Sequence, residues 1–281
     1  MILEPLPVVD AMPLVREVDQ ALIPLLRGLE PGDWQRSAVG SWTVRDVAAH
    51  LLDGALRRLS LDRDGHQPPA ADWDLSDYGE LVGFLDELNA SWVGASQRLS
   101  PPVIIDLLEH ACPQMADYFE SLDPAGEARF PVSWAGEASS RVWMDVAREY
   151  TERWHHQQQI REAVGAPGLD REPFVRPLLE TLVRALPRSY EALDATTGSL
   201  VTIAIDDLEG VGWALQREDE GWVLGLPGPE AAGDAVLRIP AEPTWRLFTK
   251  GIDGQTAKQS ATIAGDQTLV EPFFTTLAVM A

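Results

Sequence analysis

A chain of 281 residues with 45 % hydrophobic content is long enough for two domains with real cores, and too apolar to stay unfolded. Its net charge of −22 excludes the basic surface that nucleic acid or an anionic membrane requires. A single cysteine, Cys112, excludes an intramolecular disulfide framework and a Cys-rich zinc site.

Taken in order, residues 9–29 carry Met12, Val15, Val18, Leu22, Leu25 and Leu26 at helical spacing, and Pro31-Gly32 breaks the pattern. The opening lacks a basic stretch followed by an apolar one, so no secretory leader is expected there, and cytoplasmic location is the expectation. No stretch approaches the roughly 18 apolar residues of a membrane span. A second helix is predicted after Trp42, with Thr43 and Asp46 in capping-box spacing and Val44, Val47, Ala48, Leu51, Leu52, Ala55, Leu56 and Leu59 continuing it to about Arg63. Helices are predicted next over 76–99 and, opening on Pro101-Pro102, over 101–122. Residues 123–137 read as loop, with extended character at 130–134, and a long helix over 139–164 is stopped by Gly165-Ala166-Pro167-Gly168. So residues 1–168 read as an antiparallel helical bundle.

The pattern then changes. A helix over 173–186 precedes short runs, 200–205, 212–217, 221–226 and 235–239, separated by turn residues and therefore predicted as strands. Helices over 243–250 and 268–277 flank a further short strand near 257–263. Residues 169–281 form a separate small α+β domain with a mostly antiparallel sheet, and the fold class is α+β in two domains.

The long helix contains EYTERWHHQQQIREAVG, in which Glu152 and His156 lie four residues apart and therefore on one face. They fall within or beside the apolar arc of Val142, Val146, Ile160, Ala163 and Val164. A carboxylate facing a core is costly unless paired, protonated or bound to metal. An imidazole and a carboxylate at that spacing can grip one divalent ion, or merely hydrogen-bond to each other along the helix. His50, on the second helix with Gly54 one turn on, is a further candidate ligand, although alone it reads more readily as a half-buried histidine bonded to a carbonyl. Asp145 and Glu149 share the neighbourhood as alternative or supporting ligands, and His155 points about 100° away from His156. Two histidines and one glutamate would leave coordination positions open, the arrangement of a catalytic rather than a structural ion. Cys112 reads as a buried, inert thiol, and His66 and His110 as surface or packing residues. There is no Gly-rich phosphate loop and no Gly-x-Ser-x-Gly elbow.

Together, GSWTVRDVAAHLLDGALRR and REYTERWHHQQQIREAVG resemble the mycothiol-dependent maleylpyruvate isomerase family of the DinB-like superfamily, and TWRLFTKG and ATIAGDQTL are loosely similar to its C-terminal sterol-carrier-protein-like domain. The resemblance implies a four-helix bundle in which His50, Glu152 and His156 hold zinc, or a similar ion such as nickel. It also implies a low-molecular-weight thiol, mycothiol or a relative, as cosubstrate that attacks an electrophilic small molecule, in an isomerase or S-transferase reaction. A dianionic substrate would require cations, for which Arg57, on the His50 face at i+7, Arg45 and Arg246 are candidates. The competing expectation is a non-catalytic protein of the same fold that binds metal or an apolar ligand.

Overall fold

The computed structural model describes residues 3–68, 77–228 and 233–278. Two compact units divide it: a helical unit, residues 10–130 and 140–170, and a sheet unit made by residues 3–9, 131–139 and 171–278.

In the helical unit, α1 (Met12–Arg27), α2 (Val44–Arg57), α4 (Pro101–Glu120) and α5 (Val142–Val164) form the bundle, and α3 (Tyr78–Ser96) packs against α2. The predicted start of α3 at Ser76 lies outside the described residues; Asp77 caps it through the Glu80 amide. Side-chain pairs give the directions. Arg16 meets Asp117 and Glu120 while Arg27 meets Glu109, so α1 and α4 are antiparallel. His50 meets Glu152 while Arg58 meets Asp145, so α2 and α5 are antiparallel as well. Val15, Val18, Leu22 and Leu26 of α1, Val47, Leu51 and Leu52 of α2, and Ile104, Leu108 and Met115 of α4 are buried, as their spacing requires.

Helix α2 does not run unbroken to Arg63. It passes at Arg58 into a π-helical turn over Arg58–Arg63, with Arg58 buried at its start. Sequence periodicity also misses a hairpin, β1 (Ser37–Val39) with β2 (Trp42–Thr43), turned by Gly40 at φ +53°. This hairpin feeds directly into α2. Thr43 accepts from the Asp46 amide, and Asp46 Oδ2 accepts from the Thr43 amide at 3.0 Å. Thr43→Ala is expected to cost about 1 kcal/mol, read as a lower midpoint in urea unfolding; an unchanged midpoint would show that the cap contributes nothing. At the other end of the motif, Gly165 closes α5 in the left-handed region, φ +70°.

In the sheet unit, β3 (Leu200–Ile205), β4 (Gly212–Arg217), β5 (Trp222–Gly225), β6 (Ala235–Ile239) and β7 (Thr262–Gly265) are ordered β5-β4-β3-β6-β7. Only β3 and β6 are parallel in this sheet. The register lays Leu215, Val201 and Ala235 in one row and Trp213, Ile203 and Leu237 in the next, so one face is continuously apolar and buried. Helices α6 (Glu172–Leu182), α7 (Leu186–Ser189), α8 (Ala241–Phe248) and α9 (Gly254–Gln259) complete the unit. Leu3 packs with Leu200 and Ala214, and Leu226 donates to the Glu4 carbonyl, so the N-terminal segment belongs to this unit. Three local expectations are corrected. Residues 130–134 form no strand; a 3-10 turn spans Ser133–Ala135. Helix α9 occupies the first part of the stretch read as a strand, to Gln259, and β7 begins only at Thr262, because Asp253 caps a helix through the Thr256 amide. The terminal helix is two 3-10 turns, Gln267–Leu269 and Glu271–Thr275.

Candidate metal centre

The bundle brings His50 of α2 to Glu152 and His156 of α5. His50 Nε2 lies 3.1 Å and His156 Nε2 3.0 Å from the same oxygen, Glu152 Oε1. The ring centroids of the two histidines are 4.8 Å apart, edge to face. One donor atom from each residue falls within 4.8 Å of the others. Tetrahedral zinc with bonds of about 2.0–2.1 Å needs donors roughly 3.3 Å apart, so the observed separations fit an ion with small adjustments. The donor chemistry fits too, two imidazoles and a carboxylate.

The site is asymmetric. The His50 and His156 side chains are 7 % and 13 % exposed, that of Glu152 43 %. Glu152 therefore does not face the core as its helical arc suggested; it stands at the mouth, and an ion held there would be reachable from solvent. Trp42, delivered by the hairpin, forms a wall 5.2 Å from the His50 ring and 6.5 Å from that of His156, centroid to centroid.

Electrostatics separate the two histidines. Burial pushes His50 below the ordinary imidazole range, overriding its bond to Glu152. Burial acts on His156 in the same sense, but the Glu152 carboxylate outweighs it and holds His156 above that range. Glu152 is held well below the carboxylate range, desolvation being overcome by the His156 charge and by bonds from both rings. His50 Nδ1 is buried without a hydrogen-bond partner among the described residues, so the carbonyl-bonded alternative for this histidine is not what the structure contains.

Other sequence candidates have different places. Asp145 and Glu149 are not ligands: both are bound by Arg58, one turn and more away along α5. Gly54 leaves room for Glu149 and Arg153 rather than for the imidazole. Arg45 is committed to the Ser96 and Leu99 carbonyls at the end of α3. Arg57 pairs with Asp53 at 3.0 Å and is close enough to His50 to contribute to lowering its pKa. Arg246 belongs to the sheet unit, where it pairs with Glu242 and lies over the Trp245 ring. His66 and His110 are exposed. Cys112 is buried beside Arg153, and burial pushes its thiol up to about 12, so it is no nucleophile. Trp154, unlike Trp42, is a core residue whose Nε1 donates to the Leu169 carbonyl.

Sequence reasoning missed Gln159. Its Oε1 lies 2.7 Å from His156 Nδ1 and its Nε2 3.2 Å from His155 Nε2. The signal was present: Gln159 is i+3 from one histidine and i+4 from the other. His155 is buried beside the site, sharing the Gln159 amide with His156.

Comparison with known proteins places these features in context. The profile of one family, described as the mycothiol maleylpyruvate isomerase N-terminal domain, matches residues 15–161. The crystal structure of the mycothiol-dependent maleylpyruvate isomerase is similar in fold, with a TM-score of 0.53 at 15 % identity over 86 % of this chain and 88 % of that one. That of a histidine-to-alanine mutant of the same enzyme gives the same values. No curated protein sequence matches the chain. No helix among the described residues is long and apolar enough to cross a membrane.

Proposed function

This chain belongs to the mycothiol maleylpyruvate isomerase N-terminal domain family, and from that we propose that it is a thiol-dependent isomerase that works on an electrophilic small molecule at a divalent metal site formed by His50, Glu152 and His156. The observation that carries the reading is the convergence of two imidazole nitrogens, from two helices, on Glu152 Oε1. Zinc is the expected ion, with nickel as the alternative, and mycothiol or a similar thiol is the cosubstrate. When bound, such an ion keeps a coordinated sulfur ionised at neutral pH.

The rest falls to the chain's own residues. His50 and His156 form the protein-side floor, and Trp42 excludes water from one flank. Glu152 at the mouth leaves the approach open to a thiol and a second molecule. Arg57, braced by Asp53, is the cation we assign to a substrate carboxylate. Its removal costs a charged hydrogen bond, about 1.5–3 kcal/mol. Arg57→Ala is therefore expected to lower kcat/KM about 10–100-fold with metal content unchanged. Loss of metal from that variant would instead make Arg57 a prop for His50.

The reading is tested by substituting cobalt and adding mycothiol. A shifted cobalt spectrum, together with thiol-dependent isomerisation of maleylpyruvate, supports it. A spectrum indifferent to every thiol would remove the thiol-dependent step and leave a metal-binding protein.

A further inference from the structure

Helix α5 carries two adjacent histidines followed by three glutamines, and each glutamine has a different task. Gln157 is fully buried; its Nε2 donates to the Val18 carbonyl of α1 and its Oε1 accepts from Arg161. Gln158 Oε1 accepts from the Leu169 amide beyond the helix. Gln159 alone turns to the histidines, with one end of its amide on each ring.

That placement decides a choice the sequence leaves open. The His155 and His156 ring centroids are 5.7 Å apart, so a second α5 imidazole stands directly beside a proposed ligand. A carbonyl oxygen only accepts, so Gln159 Oε1 at 2.7 Å requires a proton on His156 Nδ1. The metal-facing lone pair of His156 is then on Nε2, the atom 3.0 Å from Glu152 Oε1. An amide NH2 only donates, so Gln159 Nε2 at 3.2 Å occupies the lone pair of His155 Nε2. The opposite amide orientation would invert both assignments and place a proton where His156 must bind.

We propose that Gln159 is a positioning residue that directs the metal to His156 Nε2 and withholds His155, by fixing the tautomer of both rings through one amide. The proposal rests on the metal-site reading above and deepens it. Groups that orient a ligating histidine are worth about 10–100-fold in metal affinity.

The test uses the full-length protein loaded with zinc. Long-range proton–nitrogen NMR should find His156 protonated at Nδ1 with Nε2 on the metal, and His155 neutral with its proton on Nδ1. In competition with a chromophoric chelator, Gln159→Leu should bind zinc about 10–100-fold more weakly. Gln159→Glu, which keeps an oxygen for the His156 proton, should recover most of that loss. The metal-free variants should unfold at the temperature of the metal-free wild type, which a packing defect would not permit. His156 protonated at Nε2, or zinc affinity unchanged in Gln159→Leu while the wild type binds normally, overturns the proposal and leaves the metal site standing. A wild type that takes up no zinc overturns both. The NMR assignment needs no variant, so it decides even where Gln159→Leu fails to fold.

Discussion

Arg58→Ala is expected to destabilise the protein by about 3–5 kcal/mol, the cost of breaking a buried ion pair by removing one partner. Arg58 is 7 % exposed. Two of its bonds, both 2.8 Å, go to the two carboxylate oxygens of Asp145, a third of 3.0 Å to Glu149 and a fourth of 2.9 Å to Asp62. Without it, three carboxylates are left in a region closed to water, where Arg148, half-exposed, pairs with Asp145 and Arg129 stands 3.7 Å from Asp62. The neighbouring Arg153, 1 % exposed, is held by Asp19 and 3.7 Å from Glu149, and cannot replace it. Denaturant unfolding measures the loss; a change under about 1 kcal/mol, the scale of surface pairs, would show the network to be structurally idle.

The same network sets the acid limit. Burial raises Asp145 and Glu149, but the Arg58 charge overrides it and holds both below the usual carboxylate range. A group depressed in the folded state contributes its full stability above its unfolded value, about 4, and loses it as pH falls through the folded value. Stability from these groups is thus constant near neutrality and declines on the acid side of about pH 4.

His156→Ala is expected to weaken zinc binding by more than about 100-fold, beyond the effect of any residue that merely orients a ligand, and to abolish thiol-dependent turnover. Two donors on different helices remain, His50 and Glu152, and two protein ligands are too few for a stable site. The pH dependence follows from the same geometry. His156 must give up a proton to bind, and Glu152 holds that proton above the ordinary imidazole range; His50, depressed by burial, offers no such competition near neutrality. Apparent zinc affinity should therefore rise as pH climbs through and beyond the ordinary imidazole range. Calorimetric titration at several pH values checks both points. Wild-type affinity in His156→Ala would assign the ion elsewhere.

The Glu152–His156 pair was legible because its pattern is local, whereas no spacing ties His50, on another helix, to it. Glu152 and His156 share a face by spacing, and the strands of the C-terminal third announce themselves by turn residues between short apolar runs. What was not legible depends on pairing across the chain. Asp145 and Glu149 carry the chemistry of ligands, and only the arrival of Arg58 from α2 shows them to be structural. Nothing in the local pattern around Arg58 marks it as the partner, and the structure shows it buried at the start of the π-helical turn. The β1–β2 hairpin is too short for periodicity to register, although Gly40-Ser41 is its turn and Trp42 its contribution to the site. Glu152 looked buried because helix α5 buries residues around most of its circumference, and its own tip is an exception.

Elemental analysis of the purified protein, wild type beside His50→Ala, tests the metal centre most directly. About one equivalent of zinc or nickel in the wild type and little in the variant is the expected result, since His50 is the sole donor that α2 sends to the trio. No metal in either protein, even after zinc or nickel is supplied, would contradict the account, and the bonds of His50 and His156 to Glu152 would then stand as a hydrogen-bonded trio with no ion to hold.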